Sequence, residues 1–447
     1  MNRMYNTEFT MMKRLLLITL LPALVLAQEK RALTIDEALQ LGLQNSKLLH
    51  ISEAKAMAAD AKSSEANAAR LPSLKLQAGY TRLSDVQPFA VTLPSSPTPI
   101  VISPTVLDQY TSKVSLQQPL FTGFRLENAA AAADYAAEAS RFDYARDKVD
   151  MAFNVKSAYW SVYKAAEVKR VVDENVEQTK AHVTDVKNIM KQGLVTKNEV
   201  LKVEVQLSNA LLAQIESANN VKNATMSLNS LIGLPLETEV QIASLTKAQT
   251  EQTQTLDALA QQALVSRADV KSAEMRVNAA DASVSAAKGG WFPQLSLFSN
   301  VYYSRPNPRV LPAKDEFKDT WDVGVSLSWD IWNWGTTKHQ SDQAEAVHTQ
   351  TRYALEQLKD NVSLEVNQSY LTLAQSKEKV GVATMGMEQA EENYRMTKDK
   401  FTNGSATNTE LLDAEIALLQ SKLNYTVSLV DYELANAKLA RALGREN

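Results

Sequence analysis

The chain is written twice. Residues 114–233 align with residues 325–444 at one constant offset, so Tyr159 and Tyr370, Gly193 and Gly404, and Glu199 and Glu410 each stand 211 positions apart. Where the repeat is tightest, MKQGLVTKNEVLKVEVQL (190–207) lies over FTNGSATNTELLDAEIAL (401–418), and Gly, Thr, Glu and two Leu recur at matching places. Duplication of so long a unit, helical in pattern, demands a pseudo-symmetric architecture and disfavours a single catalytic pocket.

No Pro/Gly/Ser-rich linker divides the 447 residues, which favours two interleaved halves over two independent domains. Net charge is -4 from 47 basic and 51 acidic residues, so nothing calls for nucleic acid. Cysteine is absent, which removes disulfides, thiolate metal sites and a cysteine nucleophile. There is no phosphate-binding G-x-x-x-x-G-K-[ST] and no H-E-x-x-H, and the four His (50, 182, 339 and 348) are scattered, as exposed polar residues would be. No catalytic residue, metal site or cofactor is expected, and any energy for transport must come from a partner.

Lys13 and Arg14 precede an apolar run, Leu15 to Leu26, that ends in Val25-Leu26-Ala27. The run is too short for a membrane span of about 20 residues and reads as a secretory signal peptide, residues 1–27. Beyond it two structural repeats are expected, residues 28–233 and 256–447, joined by a linker at 234–255.

Each repeat reads as long helices around a pair of strands. Thr34-Ile35-Asp36-Glu37 has the form of a capping box and opens a helix running to about Arg70. From about Arg125 to Gln192 there is neither Pro nor Gly, enough for one helix about 100 Å long. A return helix follows, from about Asn198 to Ile232, with Val200, Val203, Leu207 and Ala210 at the spacing of a packed seam. The second copy repeats this plan over about 256–288, 337–402 and 409–443. An opening and a return helix stacked end to end would match the long one, giving antiparallel columns.

The strands carry a membrane signal. In Trp321, Val323, Val325, Leu327, Trp329 and Ile331 every second residue is apolar, while Asp322, Gly324, Ser326, Ser328 and Asp330 fill the other face. Segments at about 73–84, 109–121 and 294–304 alternate similarly, and the fourth strand spans about 320–332. Trp321, Trp329, Trp332 and Trp334, with Tyr302 and Tyr303, are candidates for the aromatic girdles of a membrane barrel. Open edges in hydrocarbon leave amides unpaired, and four strands cannot close alone, so copies must pool them. A dimer would supply eight and a trimer twelve. A secreted or periplasmic coiled-coil stalk, such as that of an adhesin, would explain the helices but not these strands.

Gly193 and Gly404 each end a long helix where a left-handed cap is needed. Three residues later Thr196 with Glu199, and Thr407 with Glu410, form T-x-x-E capping boxes that start the return helices. Both copies therefore encode a tight hairpin tip, far from the strands.

Taken together, LTIDEALQLGLQNS (33–46), ALVSRADVKSAEMRVNAADASVSAAKGGWFPQLSL (263–297) and the paired G-x-x-T-x-x-E-[VL]-L turns make the chain resemble the TolC-like outer-membrane efflux proteins. The resemblance implies a mainly α fold with a membrane β-barrel portion: a homotrimer whose twelve strands form one barrel in outer-membrane lipid, continuous with a periplasmic helical tunnel. It also implies that the tips (Gly193, Thr196, Glu199, Gly404, Thr407 and Glu410) meet a periplasmic adaptor bound to an inner-membrane transporter. The family's acidic entrance positions fall on Glu410 and Asp413, each a ring of three in a trimer, although the capping role alone accounts for Glu410. Asp413 is matched by Lys202 in the first copy, and Phe401 and Ala406 replace the Tyr and Arg of well-known members, so an identical closing latch is not expected.

Overall fold

The computed structural model describes residues 31–95, 98–103, 105–242 and 255–445. The expected signal peptide and residues 243–254 of the expected linker lie outside the described residues. In chain order the elements are β1 (Arg31–Leu33), α1 (Ile35–Asn45), α2 (Lys47–Ala68), β2 (Ser73–Arg82), β3 (Phe89–Val91), β4 (Ile100–Ser103), β5 (Asp108–Phe121), α3 (Arg125–Lys191), α4 (Lys197–Ile232), β6 (Val240–Ile242), α5 (Leu256–Ser266), α6 (Ala268–Lys288), β7 (Gln294–Arg305), β8 (Lys318–Ser328), α7 (Thr336–Thr402) and α8 (Asn408–Ala442).

The two long helices have 67 residues each, about 100 Å at 1.5 Å per residue. Their length follows from a continuous supply of helix formers, and each stops where glycine turns left-handed: Gly193 at φ 76° and Gly404 at φ 71°. The helix α3 is central. Near the strands α2 bonds to it through Ser63 and Asp134, and α6 through Ser272 to the Ala139 carbonyl at 3.0 Å. Toward the tips it packs against α4 and α8, while α7 closes the row beside α6 and α8.

Each opening helix is broken, contrary to the single helices expected over about 34–70 and 256–288. Ser46 takes an extended conformation (ψ 115°) and its hydroxyl accepts from the Leu49 amide at 3.3 Å, which ends α1 and caps α2. Arg267 (ψ 131°) makes the corresponding break between α5 and α6 by its extended backbone alone, without a side-chain cap. The breaks receive the ends of the return helices. Asn45 Nδ2 donates to the Ile232 carbonyl at 3.0 Å, and Ser266 Oγ to the Leu443 carbonyl at 2.9 Å. A column is therefore α4 followed by α2, 36 and 22 residues, with α1 set beside it. Around the first joint β1 pairs in parallel with β6, and Leu33, Val155, Tyr159, Leu228 and Ile232 form a buried core.

The sheet has the order β2-β5-β7-β8, antiparallel throughout. Its edges are β2 from the first copy and β8 from the second. The helical rows end in the same way, α2 or α4 on one side and α7 on the other. Strand gives way to long helix through two consecutive left-handed residues in each copy, Gly123-Phe124 (φ 64° and 62°) and Trp334-Gly335 (φ 54° and 81°). This switch carries no glycine pair for a sequence reading to find. A Cβ on Gly123 would stand 2.4 Å from the Gly289 carbonyl oxygen, so that glycine is needed for close approach as well as for φ.

Candidate functional site

Residues paired directly across a sheet share a face, so the register sorts the strands into two surfaces. One carries Leu74, Leu76 and Tyr80 of β2, Val114 and Leu116 of β5, Leu297, Val301 and Tyr303 of β7, and Trp321, Val323, Val325 and Leu327 of β8. Leu74, Leu76 and Trp321 are each 71% exposed, so this surface has no cover within the protomer. The opposite surface carries Lys75, Gln77, Thr111, Lys113, Ser115, Asn300, Tyr302, Asp322 and Ser326. A sheet apolar on one side and hydrogen-bonding on the other is the wall of a barrel with lipid outside and water within.

The aromatic residues divide accordingly. Tyr303 stacks on Phe317 at 5.0 Å at the far rim, with Trp321 exposed one row below Tyr303 on the same face. At the helix-proximal rim Trp329 Nε1 donates to the Trp291 carbonyl at 3.2 Å, and Trp332 meets Trp334 edge-on at 5.7 Å. Two expectations need correction. Tyr302 is on the polar face, because consecutive strand residues point to opposite sides, and its ring lies under Lys113 and Arg309. The fourth strand ends at Ser328, so Ile331, Trp332 and Trp334 belong to the turn that leads into α7.

At the tips both glycines are open: a Cβ on either would meet nothing within 4 Å, so only φ demands glycine there. The two return helices start differently. In the second copy the expected box forms, with the Glu410 amide donating to Thr407 Oγ1 at 3.3 Å and Glu410 Oε2 accepting from the Thr407 amide at 2.6 Å. Those bonds from the Thr407 amide and then its hydroxyl hold the Glu410 carboxyl below its ordinary range. In the first copy the box is absent, and Thr196 makes no side-chain cap. Glu199 turns instead to Lys202 Nζ at 2.8 Å and to Asn408 Nδ2 at 2.9 Å, which lower its pKa in that order. The carboxylate thus ties one tip to the other. Asp413 is exposed on α8, one turn below Glu410.

Behind the tips lies a pair the sequence did not announce. His182 of α3 and Glu415 of α8 meet at 3.1 Å (Nδ1 to Oε2), their side chains 2% and 5% exposed. The Phe401 ring meets the imidazole edge-on at 5.5 Å, and Val183, Val186, Val200, Val203 and Leu411 complete an apolar surround. His182 is therefore a core residue, against the expectation that all four His are exposed. His50 and His339 do lie in the open, at 64% and 76%. Among the described residues no group of His, Cys, Asp or Glu is placed to hold a metal ion, and no helix is long and apolar enough to cross a membrane.

A half-lipid, half-water sheet continuous with columns of helix about 100 Å tall defines a segment of channel wall spanning the outer membrane, with a large periplasmic part. The chain belongs to the outer membrane efflux protein family, whose model matches residues 38–234 and 259–445. It is similar to the outer membrane efflux protein BepC of Brucella suis biovar 1 (strain 1330), with 23% identity over 334 residues, 74% of this chain and 71% of that one. It is likewise similar to the outer membrane protein TolC of Vibrio cholerae serotype O1 (strain ATCC 39315 / El Tor Inaba N16961), 22% identical over 67% of this chain and 69% of the other. The fold matches the Campylobacter jejuni CmeC outer membrane channel with a TM-score of 0.79 at 16% identity, covering 92% of this chain and 85% of that one. Members of the family are passive channels of tripartite efflux and type I secretion systems, which also contain a periplasmic adaptor and an inner-membrane pump. The protein is an outer-membrane efflux channel.

Proposed function

We propose that three copies of this chain close head to tail into one passive exit duct, β2 of each pairing with β8 of the next. The observation that carries this reading is the repetition of one open row at every level, with free edges drawn from opposite copies. A surface that differs on its two edges makes a heterologous contact, which closes into a ring when the rotation permits. The apolar residues left on the helical edges, among them Val205, Leu212 and Ile215 of α4 and Leu371, Val382 and Met385 of α7, support the same seam. Twelve strands remove every barrel edge. In this assembly residues 28–233 and 256–447 act as two repeats of one wall, and Trp321, Trp329, Trp332, Trp334 and Tyr303 anchor it at the two lipid interfaces. The tips, Gly193 to Glu199 and Gly404 to Glu410, dock the adaptor. Glu410 and Asp413 line the entrance as acidic rings that concentrate cations. No chemistry is assigned to the chain, and its partner pump supplies the energy.

The absence of cysteine makes the test clean. Variants pairing Thr320→Cys on β8 with a cysteine placed in turn along β2, because strand tilt offsets the rows of neighbouring chains, should give at the matching position, on oxidation of outer membranes, a ladder of covalent species that ends at three chains. A ladder ending at two, or one that runs on without limit, would overturn the trimer.

A further inference from the structure

The polar face of the sheet carries an excess of positive charge. Three of its rows are Lys75–Ser115–Asn300–Asp322, Gln77–Lys113–Tyr302–Thr320 and Gly79–Thr111–Ser304–Lys318. They contain three lysines and one carboxylate, and that carboxylate is occupied: Arg309 folds back from the β7–β8 loop to pair with Asp322, and Asn300 Nδ2 donates to it at 2.7 Å. Among the described residues no acidic group lies within ion-pair distance of Lys75, Lys113 or Lys318. Lys113 has only the Tyr302 ring, 5.4 Å to its centroid, and a ring leaves the charge in place. The remaining charged strand residues, Arg82, Asp108, Arg305 and Asp319, sit in the rim rows of the apolar face, where Arg82 and Asp108 neutralise each other at 2.8 Å.

We infer that the barrel segment favours anions, through Lys75, Lys113 and Lys318, and so opposes in sign the acidic tips at the other end. The inference rests on the polar face being the lumen of a closed trimer. Twelve strands about 4.8 Å apart and tilted about 40° give a backbone radius of about 12 Å, and side chains narrow it further. The Debye length at physiological ionic strength is about 8 Å, so no ion crosses the barrel beyond the reach of its wall. A low-dielectric wall focuses that field along the axis, raising the local concentration of anions and lowering that of cations. An anionic solute, once past the tips, is drawn through the barrel, and a cationic one meets its barrier there.

The test is the reversal potential of the purified channel in a planar lipid bilayer under a KCl gradient at low ionic strength. In the triple variant Lys75→Gln, Lys113→Gln, Lys318→Gln it should move toward the potassium limit, with a several-fold fall in the chloride-to-potassium permeability ratio. Asp322→Asn, which leaves Arg309 unpaired, should move it the other way, and Lys→Arg at the three positions should leave it in place. The tips are unchanged in all of these variants, so any shift between them originates in the barrel. Should the triple variant fail to insert, Lys75→Gln and Lys113→Gln singly should give smaller shifts in the same direction. A conducting variant with an unmoved reversal potential overturns the inference. A wild-type protein that does not conduct overturns the duct reading and takes this inference with it.

Discussion

His182 and Glu415 stand 233 residues apart in the chain and 3.1 Å apart in space, and neither has a local sequence signal that would pair them. The repeat itself misleads here, since the counterpart of Glu415 is Glu204, which forms a half-exposed pair with Lys187. Removing one partner of a buried hydrogen-bonded pair strands the other, so Glu415→Ala should destabilise the protein by about 1–3 kcal/mol, seen as a lower melting temperature in detergent. The double variant His182→Leu, Glu415→Leu should recover most of that loss, and equal losses in both would mean the pair is not coupled. A second prediction concerns acid. Burial alone would raise the Asp269 pKa, but the hydrogen bond and charge of Arg267 override it and hold the carboxyl below its ordinary range. Because the folded value is the lower one, the stabilisation is present above the ordinary carboxylate pKa and is lost as pH falls through the depressed value. Melting temperature should therefore fall on acidification, with a shallower slope in Asp269→Asn. Identical slopes would remove Asp269 as a contributor.

At the scale of elements, the long helices were legible almost to the residue because their ends are marked by local chemistry, glycine with positive φ followed by a T-x-x-E start. The breaks at Ser46 and Arg267 were not, since a polar residue inside a long helical pattern looks like solvated surface until the end of another helix arrives to bond beside it. The face assignment of the strands followed from period-two alternation, which also shows why Tyr302 and Tyr303 could never have shared a girdle. The cap at Thr196 was misread for a tertiary reason: Asn408, 209 residues away, competes successfully for Glu199. The unequal caps make a differential prediction. Thr407→Ala should cost about 1 kcal/mol in local opening of its helix start, measured by amide hydrogen exchange, and Thr196→Ala much less. Equal effects would mean that the box also forms in the first copy. Gly193→Val or Gly404→Val should strain a tip by about 1–2 kcal/mol without disturbing packing, weakening the proposed adaptor docking while the barrel remains inserted. Loss of barrel insertion would argue against the tips being remote from it.

For the whole molecule the unmatched edges matter most. An isolated chain presents hydrogen-bonding edges on β2 and β8 together with an apolar sheet face and apolar helix flanks, which the proposed assembly would cover. In the proposed ring each chain takes part in two seams, so a subunit with one damaged edge would spoil a ring built otherwise from sound ones. The arithmetic of inheritance follows from this geometry. If the ring has the three subunits proposed, then in a cell making normal and edge-damaged chains in equal amounts random mixing would leave about one ring in eight without a flaw. A single bad allele would then act as a poison to its healthy copy, and the severity of that poisoning would count the subunits.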